Sequence, residues 1–157
     1  MGNLVTVHGT TGQENRMISP TGWSETRMDA VGSGQYRAKR GHRKHAGRDY
    51  EFATGVDPRK HQIVAPINGR VVREARPYAN EKYSGCVIEG SCITIKMFYF
   101  KFNKRLIGTV VKQGDPLGLG QDIGEKYGKE CKAHIHLQVE RVDPDVFINP
   151  WKMPAIY

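Results

Sequence analysis

Short apolar runs separated by turn residues fill the chain from Gln62 onward. Ile63-Val64-Ala65 is followed by Asn68-Gly69, a pair that favours tight hairpin turns, and then by Arg70-Val71-Val72-Arg73. Further runs fall at 86–88, 93–102, 109–111 and 135–139. In the longest of them, period-two alternation places Ile93, Ile95, Met97, Tyr99 and Lys101 on one face and Thr94, Lys96, Phe98 and Phe100 on the other. Gly114-Asp115-Pro116, Gly118 and Gly120 then break the chain, and only 121–131 suits even a short helical turn. Short strands at regular spacing predict a mainly β fold, a single compact antiparallel β domain with long loops. Residues 1–25, rich in Thr, Gly, Ser and Asn and without periodicity, read as a loosely packed N-terminal arm or leader, so the domain is expected over 26–157. There is no internal repeat.

Composition narrows the class. A chain of 157 residues supports one domain, and 38% hydrophobic residues suffice for its core. Glycine (18) and proline (8) make it turn-rich without reaching the composition of a disordered segment. Neither a spanning apolar stretch nor a signal-peptide pattern at Met1 to Thr10 is present, which predicts no membrane association and synthesis in the cytoplasm. Action at a cell wall or periplasm would then need lysis, virion delivery or injection. Cys86, Cys92 and Cys131 are too few for a disulfide framework. A bridge between Cys86 and Cys92 across Glu89-Gly90-Ser91, or three reduced thiols, are the two readings.

Lys and Arg number 24 against 16 Asp and Glu, a net charge of +8. Lys39, Arg40, Arg43, Lys44 and Arg48 fall within ten residues, with His42 and His45 among them. Such a run attracts polyanions. Aromatics are not interleaved with it and no helix-turn-helix or zinc-finger spacing occurs, which argues against nucleic acid. Peptidoglycan or another anionic glycan polymer is drawn by the same field, and a solvated basic loop is the plainer alternative.

The histidines carry the sharper signal. His45 and Asp49 form H-x-x-x-D, while His134 and His136 form H-x-H at the start of an apolar run. On a strand the latter pair points to one face, roughly 7 Å apart, close enough for one imidazole to bind a metal and the other to handle a proton. His45, Asp49 and one of the pair supply two nitrogens and an oxygen, leaving a fourth position open as catalytic zinc requires. Histidines that only hydrogen-bond at a strand end are the bland alternative. His8 and His61 lack partners and read as surface residues, and His42 belongs with the basic loop.

His45-Ala46-Gly47-Arg48-Asp49, Val64-Ala65-Pro66-Ile67-Asn68-Gly69-Arg70-Val71-Val72 and His134-Ile135-His136-Leu137-Gln138-Val139, in this order and separation, resemble the lysostaphin/LytM-type zinc endopeptidases of peptidoglycan. Gly34-Gln35-Tyr36-Arg37-Ala38-Lys39-Arg40, Arg76-Pro77-Tyr78 and Lys96-Met97-Phe98-Tyr99 are similar to the leukocyte cell-derived chemotaxin branch of that superfamily. The resemblance spans about 26–148 and implies one zinc ion held by His45, Asp49 and His136, with His134 as general base. It further implies amide hydrolysis in cross-link peptides by a monomer, with Tyr36, Arg43 and Tyr99 as substrate-binding positions. One departure stands out: active members carry a second histidine in Tyr-x-His, where this chain reads Tyr99-Phe100-Lys101. Lys101 then either donates to a developing oxyanion or is a strand lysine with its head in solvent. The chemotaxin branch also lacks that histidine, which implies the alternative of a non-catalytic zinc-containing module that binds glycan or a protein receptor.

Overall fold

Antiparallel pairing builds nearly all the regular structure. The computed structural model describes residues 16–79 and 82–149. In chain order its strands are β1 (Met28–Asp29), β2 (Gly32–Ser33), β3 (Lys39–Arg40), β4 (Arg43–Lys44), β5 (Arg48–Glu51), β6 (Gln62–Val64) and β7 (Gly69–Glu74). They continue as β8 (Gly85–Glu89), β9 (Thr94–Phe98), β10 (Phe100–Phe102), β11 (Val110–Val111), β12 (Pro116–Gly120) and β13 (His134–Val139). Two single-turn helices follow β12 and β13: α1 (Gly124–Tyr127) and α2 (Asp145–Ile148). The principal sheet has the order β11-β7-β8-β9-β13-β5 and a smaller one the order β10-β12-β6, every neighbouring pair being antiparallel. The fold is therefore mainly β and antiparallel, as the run spacing predicts.

Period two decides which side chains enter the core. Along β13, Ile135, Leu137 and Val139 are buried on one face while His134 and His136 point to the other. Ile95 and Met97 of β9 and Cys86 and Ile88 of β8 join the same core, which the small sheet completes with Ile63, Phe100, Phe102 and Leu117. Apolar burial of this kind is the main stabilising term, about 1.5–3 kcal/mol for each large side chain.

The run 93–102 is not one strand. Tyr99 has φ 86, a conformation costly for an aromatic residue, and it separates β9 from β10, which belong to different sheets. Burial shifts phase across it, from Ile95 and Met97 to Phe100 and Phe102, so Lys101 faces away from the core and is exposed. Asn68-Gly69 closes no hairpin either: β6 pairs with β12 and β7 with β8 and β11, so this turn carries the chain from one sheet to the other. The Asn68 side-chain oxygen accepts the Gln113 backbone N–H at 2.7 Å, pinning the crossing.

The expectation of a loose arm through residue 25 also changes. Residues 1–15 lie outside the described residues, but Met17 is 1% exposed within the main core. Its N–H donates to the Phe147 carbonyl, Ile18 N–H donates to Pro66, and the Thr21 hydroxyl donates to the Glu51 carbonyl. A lone Met17-Ile18 pair among polar residues left no periodic trace. His61, expected at the surface, packs edge-on to Phe52 with Nε2 2.8 Å from the Thr21 carbonyl. Arg48 leaves the basic run: it is buried, bidentate to Asp143 just before α2, an element the sequence pattern did not announce. Cys86 and Cys131 are buried, Cys92 is exposed, and all three are free, which selects the reduced-thiol reading.

Candidate metal centre

Sheet register assembles the centre. In the β13/β5 pair His136 lies opposite Asp49, and in the β13/β9 pair it lies opposite Phe98, so three side chains form a row across three strands. Phe98 stacks on the His136 ring at 5.4 Å. His45 arrives from the β3–β4 hairpin, which the bonds Arg37 N–H to His45 C=O and His45 N–H to Ala38 C=O extend by one rung. Gly47 makes the approach sterically open: a Cβ there would sit 2.4 Å from the Leu137 carbonyl oxygen and 2.8 Å from His136 Cε1. Gly34 does the same behind Asp49, where an added Cβ would sit 2.6 Å from the Asp49 Cβ.

The donor atoms converge. His45 Nε2, Asp49 Oδ1 and His136 Nδ1 are each 3.1 Å from the other two. Three ligands about 2.0–2.1 Å from a tetrahedral ion lie about 3.3–3.4 Å apart, so this triangle needs to open only slightly. The outer ring nitrogens fix the tautomers: His45 Nδ1–H donates to the Gln35 carbonyl at 3.0 Å and His136 Nε2–H to Gln138 Oε1 at 3.3 Å. Both inner nitrogens thus present lone pairs beside a carboxylate oxygen. Three mutually repelling acceptors in a half-closed site are what a divalent cation relieves, and nitrogen, nitrogen and oxygen suit zinc. Among the described residues this is the one cluster of its kind.

Outer partners divide the Asp49 carboxylate. Its Oδ2 accepts from Arg27 Nε at 3.2 Å, and the Arg27 guanidinium also holds both oxygens of Asp29 at 2.8 Å. Burial pushes the Asp49 carboxyl upward, but the imidazoles of His134, His136 and His45 outweigh it and hold the group well below the usual carboxylate range. His134 is 5% exposed, and its Nδ1–H donates to the Lys132 carbonyl at 2.8 Å, so Nε2 carries the lone pair, 3.6 Å from Asp49 Oδ2. Burial lowers its pKa against the opposing pull of Asp49, leaving a neutral imidazole at physiological pH.

These groups line a cavity of about 640 Å³. One rim is basic, with Lys39 and Arg40 of β3; the other is aromatic, with Tyr78, Tyr99 and Tyr127. Tyr99 stands edge-on to His134 at 5.2 Å, and its phenol, raised to about 12 by burial, stays protonated. The cavity therefore gathers the expected His45, Asp49, His136, His134 and Tyr99. It does not gather the remaining three. Lys101 is exposed opposite Leu119 and lines shallow grooves elsewhere, Tyr36 is buried away from the cavity, and Arg43 is exposed opposite Arg40 on the outer strand of its hairpin. His42 is likewise exposed, as expected of the basic loop. Arg27 and Tyr127 carried no sequence signal as site residues, because neither lies within a recognisable motif.

A six-stranded antiparallel sheet whose His-x-His strand meets a His-x-x-x-Asp segment around one cation-ready triangle defines the lysostaphin/LytM-type superfamily. No family model matches the chain. Leukocyte cell-derived chemotaxin-2 of Bos taurus is 31% identical over 123 residues, covering 76% of each chain, and that of Mus musculus is 28% identical over the same extent. The chain belongs to this chemotaxin-like branch of the superfamily. A solved structure of a Pseudomonas aeruginosa protein assigned to peptidase M23 matches with TM-score 0.49 and 23% identity, over 90% of this chain and 58% of that one. Among the described residues no helix is long and apolar enough to cross a membrane.

Proposed function

We propose that the chain is a zinc-dependent endopeptidase that hydrolyses amide bonds in peptidoglycan cross-link peptides at the cell wall. The observation that carries this reading is His134: a purely structural ion needs only the triangle, yet a neutral imidazole with its free nitrogen turned into the cavity stands beside it. Zinc, when held by His45, Asp49 and His136, would polarise the scissile carbonyl and acidify a water. His134 Nε2 takes the proton of the attacking water and returns it to the leaving amide nitrogen, as an imidazole that burial holds in its neutral form can do. The Lys132 carbonyl keeps the ring oriented for both transfers, and burial among Tyr99 and the sheet excludes bulk water. Lys39 and Arg40 at the rim attract the carboxylates of an anionic wall polymer.

One observation favours a second reading, a zinc-containing module that binds glycan or a protein receptor without catalysis. Among the described residues the cavity holds no imidazole beyond His45, His134 and His136, and the lysine aligned with the second histidine of active members lies outside it. Zinc-loaded protein incubated with purified peptidoglycan separates the two. New free amines that disappear with His134→Ala support the endopeptidase; none at any zinc loading, with the polymer retained, supports the module.

A further inference from the structure

Three phenols on the aromatic rim form a chain. Tyr127 Oη lies 2.5 Å from Tyr78 Oη, which lies 3.3 Å from Tyr99 Oη, while Lys126 Nζ sits 4.5 Å above the Tyr78 ring. Three hydroxyls carry three protons, and the two contacts between them use two. One O–H is left for a group in the cavity that all three residues line. The chain is built at a cost: Tyr99 adopts φ 86, a region where a bulky residue persists only when its surroundings impose it. The imposing bonds are Tyr99 N–H to the Ser84 carbonyl at 2.7 Å and Gln121 N–H to the Tyr99 carbonyl at 3.0 Å, one from each side of the junction between sheets. The consequence of that strained residue is a phenol set edge-on to His134, at the margin of the donor triangle, instead of a continuous strand. Tyr83, edge-on to both Tyr78 and Tyr99, packs behind them.

We propose that Tyr99, oriented by Tyr78 and Tyr127, is the hydrogen-bond donor to the substrate carbonyl oxygen as it gains charge, in a site whose described residues include no second histidine for that task. The inference rests on the hydrolase reading and deepens it. A preorganised donor of this kind acts on the developing oxyanion more than on the neutral amide. Tyr99→Phe keeps the ring and its packing and removes only the O–H. Tyr78→Phe keeps Tyr99 in place and removes the partner that orients it.

The probe is a phosphinic pseudodipeptide of alanine and glycine, whose tetrahedral anionic centre imitates the hydrated amide, titrated calorimetrically into zinc-loaded protein. Tyr99→Phe is expected to weaken its binding about ten- to a hundredfold, with Tyr78→Phe causing a smaller loss. Zinc stoichiometry, urea midpoint and affinity for the parent Ala-Gly amide are expected to stay unchanged. Turnover of peptidoglycan by Tyr99→Phe is expected to fall in kcat with KM retained. Equal phosphinate affinity in Tyr99→Phe and the unsubstituted protein, absence of binding included, overturns the proposal. The two readings fail separately. Amine release that needs His134 but ignores Tyr99→Phe removes the phenol role alone, whereas Tyr99-dependent phosphinate binding without any amine release removes the hydrolase, and with it the catalytic role, leaving Tyr99 as a donor to a bound tetrahedral anion.

Discussion

Gly47→Ala tests the geometry of the centre through the sign of a stability change. Gly47 has no positive φ, so alanine carries no backbone strain there. Restricting the unfolded chain would by itself stabilise the protein by about 0.4–1 kcal/mol. Against this, the new methyl would stand 2.4 Å from the Leu137 carbonyl oxygen and 2.9 Å from His136 Nε2. Leu137 belongs to the β13/β5 ladder and its carbonyl has no flexible end to move, so the pair of strands must part or the imidazole must turn. Overpacking of that kind costs about 1–3 kcal/mol, leaving a net destabilisation of roughly 0.5–2 kcal/mol for the metal-free protein. At a free zinc concentration 100 times the dissociation constant, binding adds about 2.7 kcal/mol to the unsubstituted protein, and a tenfold loss of affinity lowers that increment to about 1.4 kcal/mol. Urea unfolding in chelator and in buffered zinc measures both numbers. A variant as stable as the parent in chelator, with the same zinc increment, would refute the close approach of Gly47 to His136 and with it the placing of His45 in the triangle.

Other outcomes follow from single contacts. His45→Ala and His136→Ala are expected to lose bound zinc, read by elemental analysis, and with it the zinc-dependent rise in unfolding midpoint, since binding energy to the folded state is folding energy. Lys101→Ala is expected to leave zinc content and turnover within about twofold, because its side chain lies outside the cavity; a large loss of turnover would restore it to the site. Of the three thiols only Cys92 is expected to react rapidly with iodoacetamide in the folded state, counted by intact mass, Cys86 being buried with its pKa pushed up to about 12. Burial raises the Asp29 carboxyl, but the Arg27 guanidinium and the Lys132 and Val31 N–H groups more than reverse this, so its folded pKa lies below the usual value. Its contribution to stability is complete above about pH 3.9 and is lost as pH falls through the lower folded value, so Asp29→Asn is expected to flatten the acid limb of a stability profile.

The parts of the centre that were legible in the sequence are those that a single strand or a short hairpin places by itself. His134 and His136 share a face because the side-chain period of β13 is two, and no long-range information is needed to say so. That His136 should meet Asp49 and not Glu51 depends on register between β13 and β5, which neither segment encodes locally. The resemblance of three ordered motifs supplied that register. Arg27, in no motif, and Tyr127, at the end of α1, reach the cavity only through tertiary placement.

Tyr99 shows why the remaining misreading was systematic. Uninterrupted alternation from Ile93 to Lys101 puts Tyr99 and Lys101 on one face, and the aligned position of a catalytic histidine then appeals to Lys101 as its substitute. The apolar residues themselves argue otherwise: Ile95 and Met97 are odd-numbered, Phe100 and Phe102 even-numbered, and all four are buried. All four lie in one core, and a one-residue phase change brings both pairs to it, because slipping a strand by one position turns every side chain to the opposite face. The change has to fall between Met97 and Phe100, and the structure puts it at Tyr99 by means of a positive φ. The same rotation that sends Lys101 to solvent turns the Tyr99 ring toward His134. Exchange of lysine for histidine at position 101 therefore cannot by itself restore a second cavity imidazole: Lys101→His is expected to leave turnover unchanged, and a clear gain in turnover would show that β10 is free to slip back into phase with β9.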